Sequence, residues 1–180
     1  AKHRCGAGKG FHHMVYVALS TGLGTGFIVN DQLFRGSYGG AGESGHMLIT
    51  PGKGITDGCG NPGCFMSYAC GSCLVRHALL AIENGASTRM TEMVTDLSEL
   101  NAKHIAEAYR QGDALGKKLI EQLIYYASLH IYNLFIAFNI NCYVCGGGLT
   151  NMGDFLLERI QEQADLLNTQ ENQKIYIKKA

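Results

Sequence analysis

Four short stretches of this chain carry residue types that could do chemistry. Ser20-Thr21-Gly22-Leu23-Gly24-Thr25-Gly26 is dense in glycines and hydroxyls, and Gly146-Gly147-Gly148 is a second glycine cluster. Without a Cβ in the way, backbone N–H groups at such turns can approach an anion closely, and Thr21 and Thr25 add hydroxyl donors. Glu43-Ser44-Gly45-His46 brings a carboxylate and an imidazole together, a pair suited to hydrogen bonding vicinal hydroxyls. Gly58-Cys59-Gly60-Asn61-Pro62-Gly63-Cys64 is a knuckle whose composition lets one backbone turn bring two sulfurs together.

Each stretch also has a plainer explanation. The first glycine cluster could be a hairpin turn, and the second a close strand-to-helix connection. Neither ends in Gly-Lys-Ser/Thr, so neither is a Walker loop. An isolated Glu/His pair is usually an exposed carboxylate beside a satisfied imidazole. The spacing of His46 to Cys59 and Cys64 is what lifts the third and fourth stretches above that.

The elements that must position these residues can be read from periodicity. Met14 to Leu19 is a β-prone apolar run ending at the first glycine cluster. Phe27–Val29 and Gln32–Phe34, joined by Asn30-Asp31, read as a hairpin. Residues 36–45 are a loop, Met47 to Thr50 reads as a strand, and residues 51–63 form another loop. A helix is expected from Phe65 to Glu83, ended by Asn84-Gly85. Asp96 with Glu99 is a capping signature for a helix carrying Leu100, Ile105, Ala108 and Tyr109. Gly112 stops it and Asp113 caps the next, which becomes apolar all round by Phe135 and is therefore buried. Cys142 to Cys145 is a short buried strand running into Gly146, followed by a helix over Phe155 to Leu167 and a last strand at Ile175 to Ile177. Strands alternating with helices argue for an α/β fold in one domain.

Composition excludes several classes. Hydrophobic residues make up 46% and charged residues 17% of the 180, as in an ordinary globular protein. Lys plus Arg and Asp plus Glu both number 15, so no net charge draws this segment to nucleic acid or an anionic membrane. The most apolar stretch, Leu119 to Ile140, is interrupted by Glu121, Gln122, His130 and Asn133, so no membrane span is expected. Seven cysteines with no secretory signal predict a reducing, cytoplasmic setting, with Cys5, Cys70, Cys73, Cys142 and Cys145 as buried small hydrophobes.

Gly-x4-Ala-Gly-Glu-x-Gly-His over residues 36–46, followed by Cys-Gly-x-x-Gly-Cys over 59–64, resembles the signature of the ROK family (repressors, open reading frames, sugar kinases). The likeness runs from Gly6-Ala7-Gly8-Lys9-Gly10 to the last strand, and is to the C-terminal portion of glucokinases, allose kinases and N-acetylmannosamine kinases. It implies a ribonuclease-H-like, actin-like ATPase fold, with residues 1–180 belonging to the larger, C-terminal domain of two. It implies that Thr21, Gly22, Gly24 and Thr25 form the second phosphate loop and that Gly146, Gly147 and Gly148 border the adenosine of ATP. Glu43 and His46 would contact a hexose or N-acetylhexosamine, and His46 would also share a structural zinc with Cys59 and Cys64. Mg²⁺ on the phosphates and a homodimer complete what the family implies.

Two departures stand out. The family zinc site has a third cysteine where this chain has Asp57; its carboxylate could complete a tetrahedron, or a water could. Many members carry a sugar-binding Glu at the position of Met66, which cannot accept those hydrogen bonds. The family's first phosphate loop, Asp-x-Gly-Gly-Thr, and the Asn-Asp pair whose Asp is the general base are expected upstream of Ala1. Asn30-Asp31 lies at the wrong place to be that pair. The chain alone is expected to be inactive. The alternatives to a sugar kinase are a sugar-responsive ROK repressor and a sugar-binding module without phosphoryl transfer.

Overall fold

The computed structural model describes residues 2–56 and 60–180. After a short helix α1 (Lys2–Cys5), the strand β1 (Met14–Leu19) turns into β2 (Leu23–Val29), which hairpins into β3 (Gln32–Phe34). Asn30 and Asp31 at that hairpin have φ of 50° and 62°, the left-handed pair that a two-residue turn between twisted strands requires. A long irregular segment leads to helix α2 (Gly71–Glu83), then α3 (Ala102–Arg110) and α4 (Ala114–Phe138). Strand β4 (Cys142–Gly146), helix α5 (Phe155–Leu167) and strand β5 (Tyr176–Lys179) follow.

The five strands form one mixed sheet in the order β3-β2-β1-β4-β5. β1 pairs antiparallel with β2 and parallel with β4, and β4 is parallel to β5. Alternation along β1 sorts its side chains. Val15, Val17 and Leu19 join the main core under the helices, while Met14 joins Cys142 and Val144 against Ala7 and Phe11 on the other face. Tyr143 and Cys145 send β4 into the main core. α4 packs against α2, α3 and α5, but its apolar end is not buried all round as expected: Leu134 and Phe135 are in the core, while Ile136 and Phe138 are half exposed. Asp113 starts it by accepting the Gly116 N–H at 2.8 Å, and Asn139 ends it in the left-handed region at φ 51°. Among the described residues, no helix is long and apolar enough to cross a membrane.

The α/β expectation holds, with local corrections. α2 begins at Gly71 rather than Phe65, because Phe65–Ser67 forms a separate 3-10 turn and Cys70 caps the helix. Asp96 caps only a 3-10 turn, and α3 is capped by Asn101, whose side chain accepts the Lys103 N–H at 3.0 Å. Residues 47–50 form no strand, only a bridge between Leu48 and Cys64. Gly24 and Gly26 belong to β2, so the turn between β1 and β2 is confined to Ser20–Gly22. Cys5 is exposed, not buried.

Candidate functional site

Because β1 and β4 are parallel neighbours, both glycine turns leave the sheet at the same edge, where α/β folds hold ligands. The turn after β1 is closed by the Ser20 N–H donating to the Gly22 carbonyl at 3.0 Å. It is anchored from the side by the first residues of α2. The Gly71 N–H donates to the Ser20 carbonyl at 2.7 Å, and the Ser72 N–H and hydroxyl donate to the Thr21 carbonyl at 3.1 and 2.9 Å. The turn after β4 presses directly on the end of β1. Gly147 has φ 104°, and a Cβ there would lie 2.5 Å from the Leu19 carbonyl oxygen, so only glycine fits. Thr150 completes that turn, with its N–H and hydroxyl donating to the Gly147 carbonyl at 3.1 and 2.8 Å.

Between these turns lies a cleft of about 790 Å³. Its walls are Ser20 and Thr21, the start of α2, one face of α3 and residues 148–152. Lys103 and Arg110 bring two positive side chains to it, and the lining among the described residues includes no carboxylate. Arg110 also donates to the Met152 carbonyl at 2.7 Å, holding α3 against the second turn. Such a cleft suits an elongated anion with an apolar end, since Val75, Ala106 and Leu149 line it too.

Of the expected phosphate and adenosine residues, Thr21 and Gly148 line the cleft. Gly22 instead faces the Met66 Cε, 3.3 Å from where a Cβ would stand, and Gly24 and Gly146 are paired with Ala18 across the sheet. Thr25 points away from the cleft. Its hydroxyl donates to the Gly42 carbonyl at 2.8 Å and lies 2.8 Å from the Ser44 hydroxyl. Sequence reasoning missed Ser72, Asn101, Lys103 and Arg110. Lys103, Ala106 and Arg110 share one face of α3 at i, i+3, i+7 spacing, a signal that was present but has no motif attached to it.

The Glu43–His46 stretch forms a 3-10 turn packed on β2. The Glu43 carboxylate stands 3.7 Å from His46 Nε2, so the pair does converge, and Glu43 is largely exposed. A Cβ on Gly45 would collide with the Leu23 carbonyl and lie 3.0 Å from Met66 Cγ. Met66 thus sits between the turn at Gly22 and the turn at Gly45.

Two expected metal ligands are brought to neighbouring backbone. Met47, next to His46, accepts the Phe65 N–H at 3.2 Å, while Leu48 bridges to Cys64. Cys64 is buried, with its sulfur 3.6 Å from the Ser67 hydroxyl. Asp57 and Cys59 lie outside the described residues. Among the described residues, no group of three His, Cys, Asp or Glu is arranged to hold a metal ion.

A model of the ROK family matches residues 1–180, and the chain belongs to that family. It is 33% identical over 166 residues to a glucokinase of Streptomyces coelicolor, covering 89% of this chain and 51% of that protein. It is 29% identical over 170 residues to the DNA-binding transcriptional dual regulator NagC of Escherichia coli, covering 94% of this chain and 40% of that protein. Among solved structures, a ROK family glucokinase from Streptomyces griseus in complex with glucose and AMPPNP superimposes with a TM-score of 0.86 at 29% identity. That match covers 99% of this chain and 59% of the other. The chain therefore spans about half the length of the curated relatives it matches, and its fold is that of the actin-like ATPases to which ROK sugar kinases belong.

Proposed function

We propose that the protein to which these residues belong is an ATP-dependent hexose or N-acetylhexosamine kinase. The observation that carries this is the cleft itself, in which Thr21 and Gly148, from turns after parallel strands, meet Lys103 and Arg110. In this reading the Thr21 turn receives the phosphates, and the Gly147-Gly148 turn with α3 receives the adenosine. Glu43 and His46 bind sugar hydroxyls. A hydroxyl oxygen of the sugar attacks the γ-phosphorus in line, the bond to the β-bridging oxygen breaks, and ADP leaves. An Asp outside residues 1–180 accepts the hydroxyl proton. Mg²⁺ neutralises phosphate charge when bound. The contribution of this chain is positioning: α2 and Gly147 fix the two turns relative to each other, and Met66 fills the gap where a hydrogen-bonding side chain would contact the sugar.

A structural zinc held by His46, Cys59 and Cys64, with Asp57 or a water as the fourth ligand, belongs to the same reading. The bridge that sets Met47 and Leu48 beside Cys64 and Phe65 supports it, since it brings the two ends of the intervening loop together. Its role would be to fix the loop after the Glu43 turn. The setting would be cytoplasmic, and the assembly a homodimer. By itself the 180-residue chain would not turn over sugar, because no Asp-x-Gly-Gly-Thr loop occurs in it and its Asn30-Asp31 pair occupies a hairpin turn.

A coupled assay of ADP release with a panel of hexoses, on the full-length protein, tests this. Sugar-dependent turnover is expected. Failure with every sugar, together with sugar-sensitive binding to DNA, would favour a repressor, a reading that the likeness to NagC supports.

A further inference from the structure

Cys70 and Cys73 stand at the start of α2 and neither lines the cleft nor belongs to the expected metal ligands. They are not independent core fillers. The Cys73 N–H donates to the Cys70 sulfur at 3.4 Å, and the Cys70 N–H donates to the Cys73 sulfur at 3.3 Å. The Cys70 thiol also donates to the Met66 carbonyl at 3.1 Å, and the Cys73 thiol to the Cys70 carbonyl at 3.1 Å. The two sulfurs therefore cap the helix reciprocally, each lying over the other's backbone, with the spacing of a Cys-x-x-Cys pair whose first member is the cap. A disulfide needs its two Cβ atoms about 4 Å apart, and the N–H to sulfur distances of 3.3 and 3.4 Å set each side chain beside the other residue's backbone.

We propose that Cys70 and Cys73 are a reversible modification site, forming an intrachain disulfide on reaction with a small peroxide and thereby loosening the anchor of α2 on the Ser20–Thr21 turn. The Cys70 sulfur attacks one oxygen of hydrogen peroxide and the O–O bond breaks. The departing hydroxide takes the thiol proton as water, leaving a sulfenic acid. The Cys73 sulfur then attacks the Cys70 sulfur, the S–O bond breaks, and a second water leaves with the Cys73 proton. Two thiols lose two electrons in all, and the peroxide is reduced to two waters. A dithiol reductant reverses the bond.

The roles are asymmetric because the environment is. The Cys73 thiol bonded to Cys70 and the neighbouring Ser72 hydroxyl hold Cys70 below the ordinary thiol range, while the same bond and burial push Cys73 up. Cys70 is therefore the attacking sulfur, at a helix start that favours negative charge. Both residues are almost fully covered, at 0% and 3% exposure, so the thiols react only when the start of α2 opens locally, and a small reagent such as peroxide needs the least opening.

The residues between the two cysteines are Gly71 and Ser72, whose N–H groups hold the Ser20 and Thr21 carbonyls. Oxidation removes both thiol donors, frees the Met66 carbonyl and pulls Cys70 towards Cys73. The segment that must move is therefore the segment that holds the turn. That this would weaken nucleotide binding rests on the function proposed above; formation of the bond and loosening of the turn do not.

The test uses the full-length protein, reduced and then exposed to hydrogen peroxide, alkylated, digested and mapped by mass spectrometry, with amide hydrogen exchange on the same samples. The expected product is an unalkylated Cys70–Cys73 peptide lighter by two hydrogens, restored by dithiothreitol. Exchange at Gly71 and Ser72 should be about ten-fold faster in the oxidised chain. Cys73→Ser should halt at a Cys70 sulfenic acid captured by dimedone, and the map of the unsubstituted chain decides the matter if that variant does not fold. The proposal is overturned if both cysteines remain alkylatable after the exposed Cys5 has reacted, or if Cys70 pairs with another cysteine. It is overturned equally if the bond forms and exchange at Gly71 and Ser72 is unchanged. None of these readouts depends on kinase activity, so a failed sugar assay would leave them intact.

Discussion

His130 Nε2, in the middle of α4, lies 2.9 Å from the hydroxyl of Ser44, between Glu43 and His46. Proton counting fixes the direction of this bond. Thr25 spends its one hydroxyl proton on the Gly42 carbonyl, so it must accept from Ser44, and Ser44 must accept from His130. His130 is therefore the Nε2–H tautomer, and its buried Nδ1 has no partner among the described residues. Burial lowers its pKa to about 4, because protonation would put a charge into a site shielded from water.

Acid should therefore destabilise the fold through His130. The unfolded chain binds this proton near the ordinary histidine value and the folded chain only near pH 4. The stabilisation is complete above about pH 6.5 and falls as pH drops towards 4, by a total on the order of 3 kcal/mol. Urea denaturation at pH 7, 5.5 and 4.5 should show this slope, and His130→Gln should flatten it. An unchanged slope in that variant would mean that other groups carry the acid sensitivity.

Ser44→Ala breaks the same chain at its centre. It strands the His130 N–H, so a loss of about 1–3 kcal/mol is expected at pH 7. Thr25→Val should cost a similar amount, and the double variant less than the sum, since both remove one network. Equal additivity in denaturation would show the hydroxyls to be independent.

Adjacent glycines in the second turn should behave differently. Gly147→Ala puts a Cβ against the Leu19 carbonyl at positive φ and should cost 2 kcal/mol or more, roughly, in thermal or chemical unfolding. Gly148→Ala finds its nearest neighbour, the Ser20 hydroxyl, at 4.0 Å and should fold normally while weakening a nucleotide analogue. Calorimetry of both variants with the analogue separates these effects; normal folding of Gly147→Ala would refute the close approach.

Charge and carboxylate in the two halves of the site should also separate. Arg110→Ala in the full-length protein should weaken nucleotide binding about ten-fold and leave sugar binding intact, whereas Glu43→Ala should do the reverse. Titration calorimetry with each ligand measures both. Coincident losses would mean that the two ligands share one subsite.

Metal content is a separate matter. Protein purified without chelators should contain about one equivalent of zinc, lost in Cys59→Ser or Cys64→Ser. Elemental analysis finding none, with both thiols reactive, would leave His46 as a sugar ligand alone.

Much of this was legible in the residues. Met14–Leu19, the Asn30-Asp31 hairpin and the Gly112-Asp113 boundary are local signals that no long-range contact overrides. The misplaced start of α2 has a tertiary cause: Phe65 continues the apolar pattern but is fully buried in a 3-10 turn against His130 and the Met47 carbonyl. Thr25 is expected at the phosphates as a hydroxyl of the turn and by the family resemblance; in the structure it lies inside β2 opposite Val17, with its hydroxyl engaged by Gly42 and Ser44. Lys103 and Arg110 were invisible as a site because their partner wall is the Gly148 turn, far along the chain. No local pattern signals that meeting.

The parallel pairing of β1 with β4 has a kinetic consequence. The β1-β2-β3 meander needs only neighbouring residues, but for Val15 to meet Tyr143 the chain carrying α2, α3 and α4 must close into one long loop. Closing so long a loop is entropically costly and comes late. The Gly147 turn can press on Leu19 only when that has happened, so the cleft is absent from any state that has formed the hairpin alone. A molecule held there would bind only chains that have completed the fold, and its signal would rise with the slowest step of folding rather than with the appearance of secondary structure.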